Sequence, residues 1–345
     1  MKRDESLPSD LTIEPLELRH LSMFKTQNNT KYLGIFQILL CKKWLSTLEK
    51  NLTNIIPTRN STCFVAIERN LVIAYILASP TNKRGSCWSI SEPYFIGKSI
   101  SYSRYNLLQN LLQKVLYESK INTQSFLISI NTNDNQNLSI IRQYGFQPLR
   151  IIKYWKKKED SICRKNEYKD NFIWERLNKE NSQQIFRLEQ ARESIKFRSI
   201  FDRQWNDIYD KRNTLTGVIK CKENNVIAGL IPSIFPQYNY SLELIRALAW
   251  DERLNLSIPQ RINNIKIGKN KFYIETTSED NKLNDILNTS NWEIREERVL
   301  LGRSIWKRNN RYKLKSIETE LLTNLVGNLQ QQPELPSTIQ IGKNK

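Results

Sequence analysis

Along the first half of the chain, stretches with the residue pattern of β-strands alternate with stretches in which apolar residues recur at helical spacing. Runs rich in branched and aromatic residues predict β-strands, and Arg69-Asn70 makes a tight turn that joins two of them into a hairpin. Apolar residues recur at helical spacing between positions 107 and 116 and predict an amphipathic helix. The predicted strands are Leu11–Leu16, Ser61–Glu68, Leu71–Ser79, Ser86–Phe95, Ser125–Ile130 and Phe146–Trp155, and a short helix, Asn137–Tyr144, ends at Gly145. Helical spacing also follows the first strand, so the predicted order is β-α-β-β-β-α-β-α-β.

The second half of the chain repeats this order. Two pairs of similar stretches support the repeat: Val72-Ile73-Ala74 matches Val226-Ile227-Ala228, and Tyr154-Trp155-Lys156-Lys157 matches Ile305-Trp306-Lys307-Arg308. Because both matches occur at the same places in the element order, we interpret the chain as an internal duplication. The predicted strands are Phe172–Leu177, Leu215–Cys221, Val226–Ser233, Ser241–Trp250, Lys271–Thr276 and Arg298–Trp306, and the predicted helices are Ser182–Arg192, Pro259–Ile265 and Lys282–Leu287.

The same patterns give the expected domain organisation. We expect a first module at residues 1–155, a charged linker at 156–171 that is nearly free of apolar residues, and a second, degenerate module at 172–308. Residues 309–345 have one helical pattern, at 317–329, followed by a polar stretch broken by prolines, so we expect a partly disordered tail.

Composition narrows the class of protein. The 345 residues are 39% hydrophobic with no apolar run of eighteen, which predicts a globular protein without a membrane span. The N-terminus has no apolar segment behind its charges, so we expect a cytoplasmic protein. His20 is the only histidine and no two of the five cysteines have a CxxC spacing. A histidine-based triad is therefore excluded, and no metal site is indicated.

The net charge of the chain indicates which kinds of partner it could attract. The formal net charge is +18, from 53 Lys and Arg against 35 Asp and Glu. A field of this sign attracts nucleic acid, anionic lipid or a phosphorylated cofactor such as coenzyme A. The alternative explanation of the positive charge is drift in amino-acid composition, because the sequence is rich in Lys, Asn and Ile.

The ordered set of segments in the first half resembles one family. The segments are FVAIE, LVIAYILAS, CWSISEPYF, NLLQNLLQKVL and SFLISINTNDNQNLSIIRQYGFQPLRIIKYW, the last with Gly145-Phe146 at the family's distance from an Asn-rich loop. This pattern is similar to that of the GCN5-related N-acetyltransferases (GNATs) over Leu11–Trp155, and more faintly over Phe172–Lys307. The resemblance implies a mixed α+β (α/β) fold of two tandem modules. Each would be a mostly antiparallel sheet with a central parallel strand pair, flanked by helices.

The resemblance also implies a cofactor site. In this family acyl-coenzyme A lies where two parallel strands splay apart, and a Gln/Arg-x-x-Gly-x-Gly/Ala loop at a helix N-terminus binds its pyrophosphate. Here that loop becomes Ser99 to Arg104, with Ser99 at the Gln/Arg position and Tyr102 and Arg104 at the glycine positions. Capping of the helix by Ser101 or Ser103 is the alternative role for the serines. The implied cofactor-binding residues are Ser99, Ser101, Tyr102, Ser103, Arg104, Asn135 and Asn137.

The implied catalytic residues are fewer than in the family. The general-acid tyrosine of many members aligns with Ile141, which cannot donate a proton. Glu92 is the candidate general base, and a solvent-facing glutamate beside Pro93 is the alternative interpretation. In the second module the corresponding loop contains Asp251 and Glu252, which would repel a pyrophosphate. We therefore expect that module to bind no cofactor and either to serve as a structural partner or to shape the substrate site.

Three functions follow from these observations. The first is an acyl-CoA-dependent N-acyltransferase, with acetyl-CoA as the expected cofactor and a small-molecule or peptide amine as acceptor. The second is a catalytically degenerate tandem fold that binds RNA or an acidic protein, which the positive charge would favour. The third is a transferase that uses aminoacyl-tRNA as donor. For each we expect a monomer whose two modules form an intrachain pseudo-dimer, without a membrane partner.

Overall fold

A computed structural model describes most of the chain. The residues it describes are 11–26, 33–41, 44, 61–96, 102–118, 123–158, 172–233, 241–263, 265 and 272–305. Ser99, Ser101, most of the predicted linker and the whole predicted tail therefore lie outside the described residues.

The first half contains the predicted succession of strands and helices. In chain order they are β1 (Leu11–Pro15), α1 (His20–Thr26), α2 (residues 33–41), β2 (Thr62–Glu68), β3 (Leu71–Pro80), β4 (Cys87–Ile90), β5 (Tyr94–Phe95), α3 (Arg104–Tyr117), β6 (Ser125–Asn131), α4 (Asn135–Gln143) and β7 (Gln147–Lys157). One predicted strand, Ser86–Phe95, is interrupted between β4 and β5. Pro93, which has no N–H to donate to a neighbouring strand, lies in this interruption.

The second half repeats the succession, with two helices more than the one predicted between its first two strands. Its elements are β8 (Phe172–Arg176), α5 (Lys179–Arg192), α6 (Ile195–Phe201), α7 (Trp205–Asp210), β9 (Gly217–Cys221), β10 (Val226–Pro232), β11 (Ser241–Arg246), α8 (Leu254–Asn263), β12 (Tyr273–Thr277), α9 (Asn281–Thr289) and β13 (Trp292–Ser304). Helix α8 begins five residues before the predicted start, with Pro259 inside it. Leu254, Ile258 and Ile262 are buried at four-residue spacing, and their burial outweighs the hydrogen bond that proline removes.

The strands form one sheet in which the two halves exchange their last strands. Its order is β1-β2-β3-β4-β6-β13-β7-β12-β11-β10-β9-β8, with β5 paired to β3. Strand β13 of the second half lies between β6 and β7, and β7 of the first half lies between β13 and β12. Neighbours are antiparallel except for two parallel pairs, β4 with β6 and β11 with β12. Each half therefore contains one central parallel pair.

Helices cover both faces of the sheet. Leu107, Leu111 and Val115 of α3 pack with Ile141 of α4 into the core of the first half, as the helical spacing of the leucines predicts. A matching core in the second half contains residues of α8 and α9. On the opposite face, Phe197 and other residues of α6 pack against Leu300 of β13. Among the helices that the structure describes, none has the length and apolar character needed to cross a bilayer.

Candidate functional site

The parallel pair of the first half parts at a defined residue. Strands β4 and β6 pair from Cys87 opposite Ser125 to Ile90 opposite Ile128. Beyond that point the N–H of Ser91 donates to the carbonyl of Leu77 on β3, at 2.8 Å, and β5 stays on β3. Strand β6 continues beside β13. A gap therefore opens between the two parallel strands immediately after Ile90.

Glu92 lies at this gap and reaches across it. The backbone N–H of Asn131 on β6 lies near its carboxylate and lowers its pKa. Its Oε1 is 2.5 Å from Nη2 of Arg298 on β13, and 30% of its side chain is exposed. Burial raises the pKa of Glu92, while Arg298 and the Asn131 N–H act in the opposite direction. The result is a partly buried carboxylate whose proton affinity is increased, a property expected of a general base.

Arg298 is a site residue that no sequence pattern indicated. It is 3% exposed, and its side chain also donates to Ser129, through Nη2 to the carbonyl at 2.7 Å and through Nε to Oγ at 3.1 Å. It lies 206 positions after Glu92 and belongs to the second half. Only the exchange of the closing strands places it here, and no local motif indicates that exchange.

The start of α3 is the second part of the candidate site. Ser103 is the N-cap, and its Oγ accepts from the backbone N–H of Asn106 at 3.2 Å. Tyr102 is half-buried and packs against the core of the first half. The exposed Arg104 has its guanidinium carbon 5.1 Å from the ring centroid of Phe95. A helix N-terminus with a cation in its first turn favours an anionic group.

The two asparagines predicted to contact a cofactor begin α4. Asp134 is the N-cap and accepts from the backbone N–H of Asn137 at 3.0 Å and from its side-chain amide at 2.6 Å. The polar groups of Asn137 are thus engaged within the helix start, whereas Asn135 is exposed in the first turn. Helix α4 begins two residues before its predicted start, because Asp134 supplies the cap.

The position of the family's tyrosine lies in the core. Ile141 is fully buried and packs within the core of the first half. Tyr144 donates its hydroxyl to the carbonyl of Gln109 at 3.3 Å. Gly145 has a φ of 82°, the left-handed conformation predicted for the residue that ends α4. In this region the described residues therefore supply no tyrosine directed at the gap.

The parallel pair of the second half also parts, but its gap is filled by charged side chains. Strands β11 and β12 pair as far as Glu243 opposite Glu275. Arg150 of β7 is 3.0 Å from Glu243 and 2.8 Å from Glu193 of α5. Arg150 and Glu243, together with Arg192 and Glu275, line a cavity of about 10 Å³, which is room for one water molecule. Burial raises the pKa of Glu275 to about 8, so this carboxyl is mostly protonated at neutral pH.

Comparison with known proteins identifies the fold. No protein-family model matches the sequence, and no curated protein matches it. A GCN5-related N-acetyltransferase from Sphaerobacter thermophilus superposes with a TM-score of 0.54 at 10% identity, covering 88% of this chain and 98% of its own. The chain has the GNAT fold. A tandem GNAT protein from the clavulanic acid biosynthesis pathway gives a TM-score of 0.46 at 7% identity, covering 87% of this chain and 100% of its own.

The GNAT fold confirms the fold class predicted from the sequence, a mixed α+β architecture with a mostly antiparallel sheet. At 10% identity the likeness to the Sphaerobacter thermophilus protein is one of fold alone. A reaction must therefore be argued from the residues at the gap.

Proposed function

We propose that the chain is an N-acyltransferase that moves an acyl group, with acetyl as the expected group, from coenzyme A to an amine. The first module, residues 1–155, would provide the active site, and the second, residues 172–308, would shape it. The observation that supports this most directly is the gap between β4 and β6 with the carboxylate of Glu92 lying across it. Acyl transfer requires mainly the positioning of two substrates and a deprotonated amine, so a missing general acid does not abolish it.

Each described part of the site has a role in this proposal. The first-turn N–H groups of α3 and the cation of Arg104 would hold the phosphates of coenzyme A. Ser99 and Ser101 would extend that contact. Coenzyme A would supply the acyl group as an activated thioester. The amine nitrogen would bond to the acyl carbon as the C–S bond of the thioester breaks. Glu92 would accept the proton that the amine loses, and the thiolate would leave and take its proton from water. Its raised pKa suits this transfer, because the base must bind a proton during the reaction.

The phosphate contact can be tested with a matched pair of arginine variants. Arg104→Ala should weaken binding of acetyl-CoA by about 3- to 10-fold, since it removes one exposed cation near the phosphates. Arg142→Ala removes an equally exposed cation from the last turn of α4 and should leave the affinity unchanged. Thermal shift against acetyl-CoA concentration measures both. Equal affinities in the two variants would contradict the proposed position of the cofactor, and binding of RNA without acetyl-CoA would favour the degenerate binding module.

A further inference from the structure

The parting of β4 and β6 frees two backbone groups on β6. In a continuing parallel pair, the carbonyl of Ser129 and the N–H of Asn131 would bond to β4, as the residues before Ile128 do. Side chains take the place of β4 here: Arg298 donates to the Ser129 carbonyl, and the Asn131 N–H lies near enough to the Glu92 carboxylate to lower its pKa. Arg298 and Glu92 also pair with each other. The two side chains thus replace the missing strand contacts at the point where the gap begins.

We propose that Arg298, brought to the first half by the exchanged strand β13, is a positioning residue that fixes the carboxylate of Glu92 in the gap. This inference rests on the proposed function, in which Glu92 is the base. The site of the first half is then built from both halves of the chain. Arg298 suits this role because its guanidinium is almost fully buried and is held in one orientation by three partners. Nε and Nη2 donate to Ser129, and Nη1 lies 3.6 Å from Glu296.

The charges around Glu92 show what Arg298 changes. From β13, Glu92 faces the cation of Arg298 and the carboxylate of Glu296, and from the start of α4 it faces Asp134. Burial, Asp134 and Glu296 all raise the pKa of Glu92, whereas Arg298 and the Asn131 N–H lower it. Without Arg298, a partly buried carboxylate would remain beside two anions. It would bind its proton more tightly, so a smaller fraction of it would be available as a base at a given pH.

The pH profile of acetyl transfer by the full chain tests this role. In Arg298→Met, the acidic limb of kcat/KM should move to higher pH by about one unit or more, since an opposite charge within hydrogen-bonding distance shifts a carboxyl by roughly one to three units. Arg298→Lys keeps a cation, so its limb should stay near that of the wild type while kcat/KM falls several-fold through the lost contacts with Ser129. Arg295→Met, at an exposed position of the same strand, should change neither quantity.

An unchanged acidic limb in a folded Arg298→Met variant would overturn the inference. Should this variant fail to fold by circular dichroism, Arg298→Lys decides: wild-type kcat/KM in that variant would equally overturn the role. Failure of the proposed function gives a different result, because the wild type would then show neither binding of acetyl-CoA nor turnover. In that case the positioning role is tested by a carbon-13 NMR titration of the Glu92 carboxyl. The signal of this carboxyl is assigned by its absence in Glu92→Gln. The same apparent pKa in the wild type and Arg298→Met would contradict it.

Discussion

At the scale of single residues, Ile141 stands where the sequence resemblance places a general-acid tyrosine, but it has a packing role. The side chain that aligns with a general acid in many GNATs is here a buried part of the first core. The backbone position is retained, since Asp134 caps α4 and Gly145 ends it. The side-chain function is not retained, because an isoleucine has no proton to donate.

Restoring a tyrosine at this position should therefore not restore an acid. Ile141→Tyr adds an aromatic ring and a hydroxyl to a closely packed core and should lower the free energy of unfolding by about 1–3 kcal/mol. It should not increase acetyl transfer. Ser139→Tyr, on the exposed side of the same helix, should stay within about 0.5 kcal/mol of the wild type. Urea denaturation gives both values, and a stable, more active Ile141→Tyr variant would contradict the placement of this side chain.

Glu275 illustrates how burial links a residue to the pH dependence of stability. Its pKa is about 8 in the folded chain, against 4.5 for an ordinary glutamate, and burial is the main cause. Between these pH values the folded chain holds a proton that the unfolded chain has released. Its contribution to stability is therefore complete below about pH 4.5 and is lost as the pH rises towards 8.

Glu275→Gln should remove this dependence, because glutamine is neutral and similar in shape. We expect the free energy of unfolding of the variant, relative to the wild type, to rise by about 1–3 kcal/mol between pH 5 and pH 8. The exposed Glu279→Gln should show no such trend. Denaturant unfolding across this pH range measures the difference, and parallel curves for Glu275→Gln and the wild type would show that the carboxyl is ionised throughout.

At the scale of elements, close approach of backbones limits what β9 can accommodate. A Cβ added to Gly217 would lie 2.4 Å from the carbonyl oxygen of Glu175 on β8 and 2.5 Å from the ring of Trp174. The contact with the carbonyl cannot be relieved by rotating a side chain. The edge pair β8–β9 would have to separate, with loss of its hydrogen bonds.

Two glycine variants form a matched test of this contact. Gly217→Ala should lower the free energy of unfolding by about 1–3 kcal/mol through overpacking. Gly34→Ala lies on the exposed side of α2, where an added Cβ meets nothing within 4 Å, and should stabilise by up to about 1 kcal/mol. Unfolding of both variants at the same denaturant concentration would contradict the close approach of β8 and β9.

The elements themselves could be predicted because their patterns are local. The leucine spacing of α3 and the hairpin of β2 and β3 depend on neighbouring residues and are confirmed. The exchange of β7 and β13 could not be predicted, since both are long strands and either could pair with β6 by pattern alone. For the same reason Glu92 could be selected from its place beside β4, whereas Arg298 could not.

At the scale of the whole molecule, the two gaps differ in what fills them. In the first half, Arg298 at the gap between β4 and β6 pairs with Glu92 and lies 3.6 Å from Glu296, and the same half contains the capped start of α3. In the second half, the gap between β11 and β12 contains paired arginines and glutamates around room for one water molecule. Because charged side chains fill the second gap, we expect one functional site per chain, at the first gap.

Isothermal titration of the full chain with acetyl-CoA tests this most directly. The account predicts saturable binding with one molecule per chain, at the first gap, and a dissociation constant below about 1 mM, which corresponds to about −4 kcal/mol. Two molecules per chain would show that the second gap is also a cofactor site. The absence of any binding heat at millimolar acetyl-CoA, confirmed by the absence of thermal stabilisation, would contradict the proposed transferase itself.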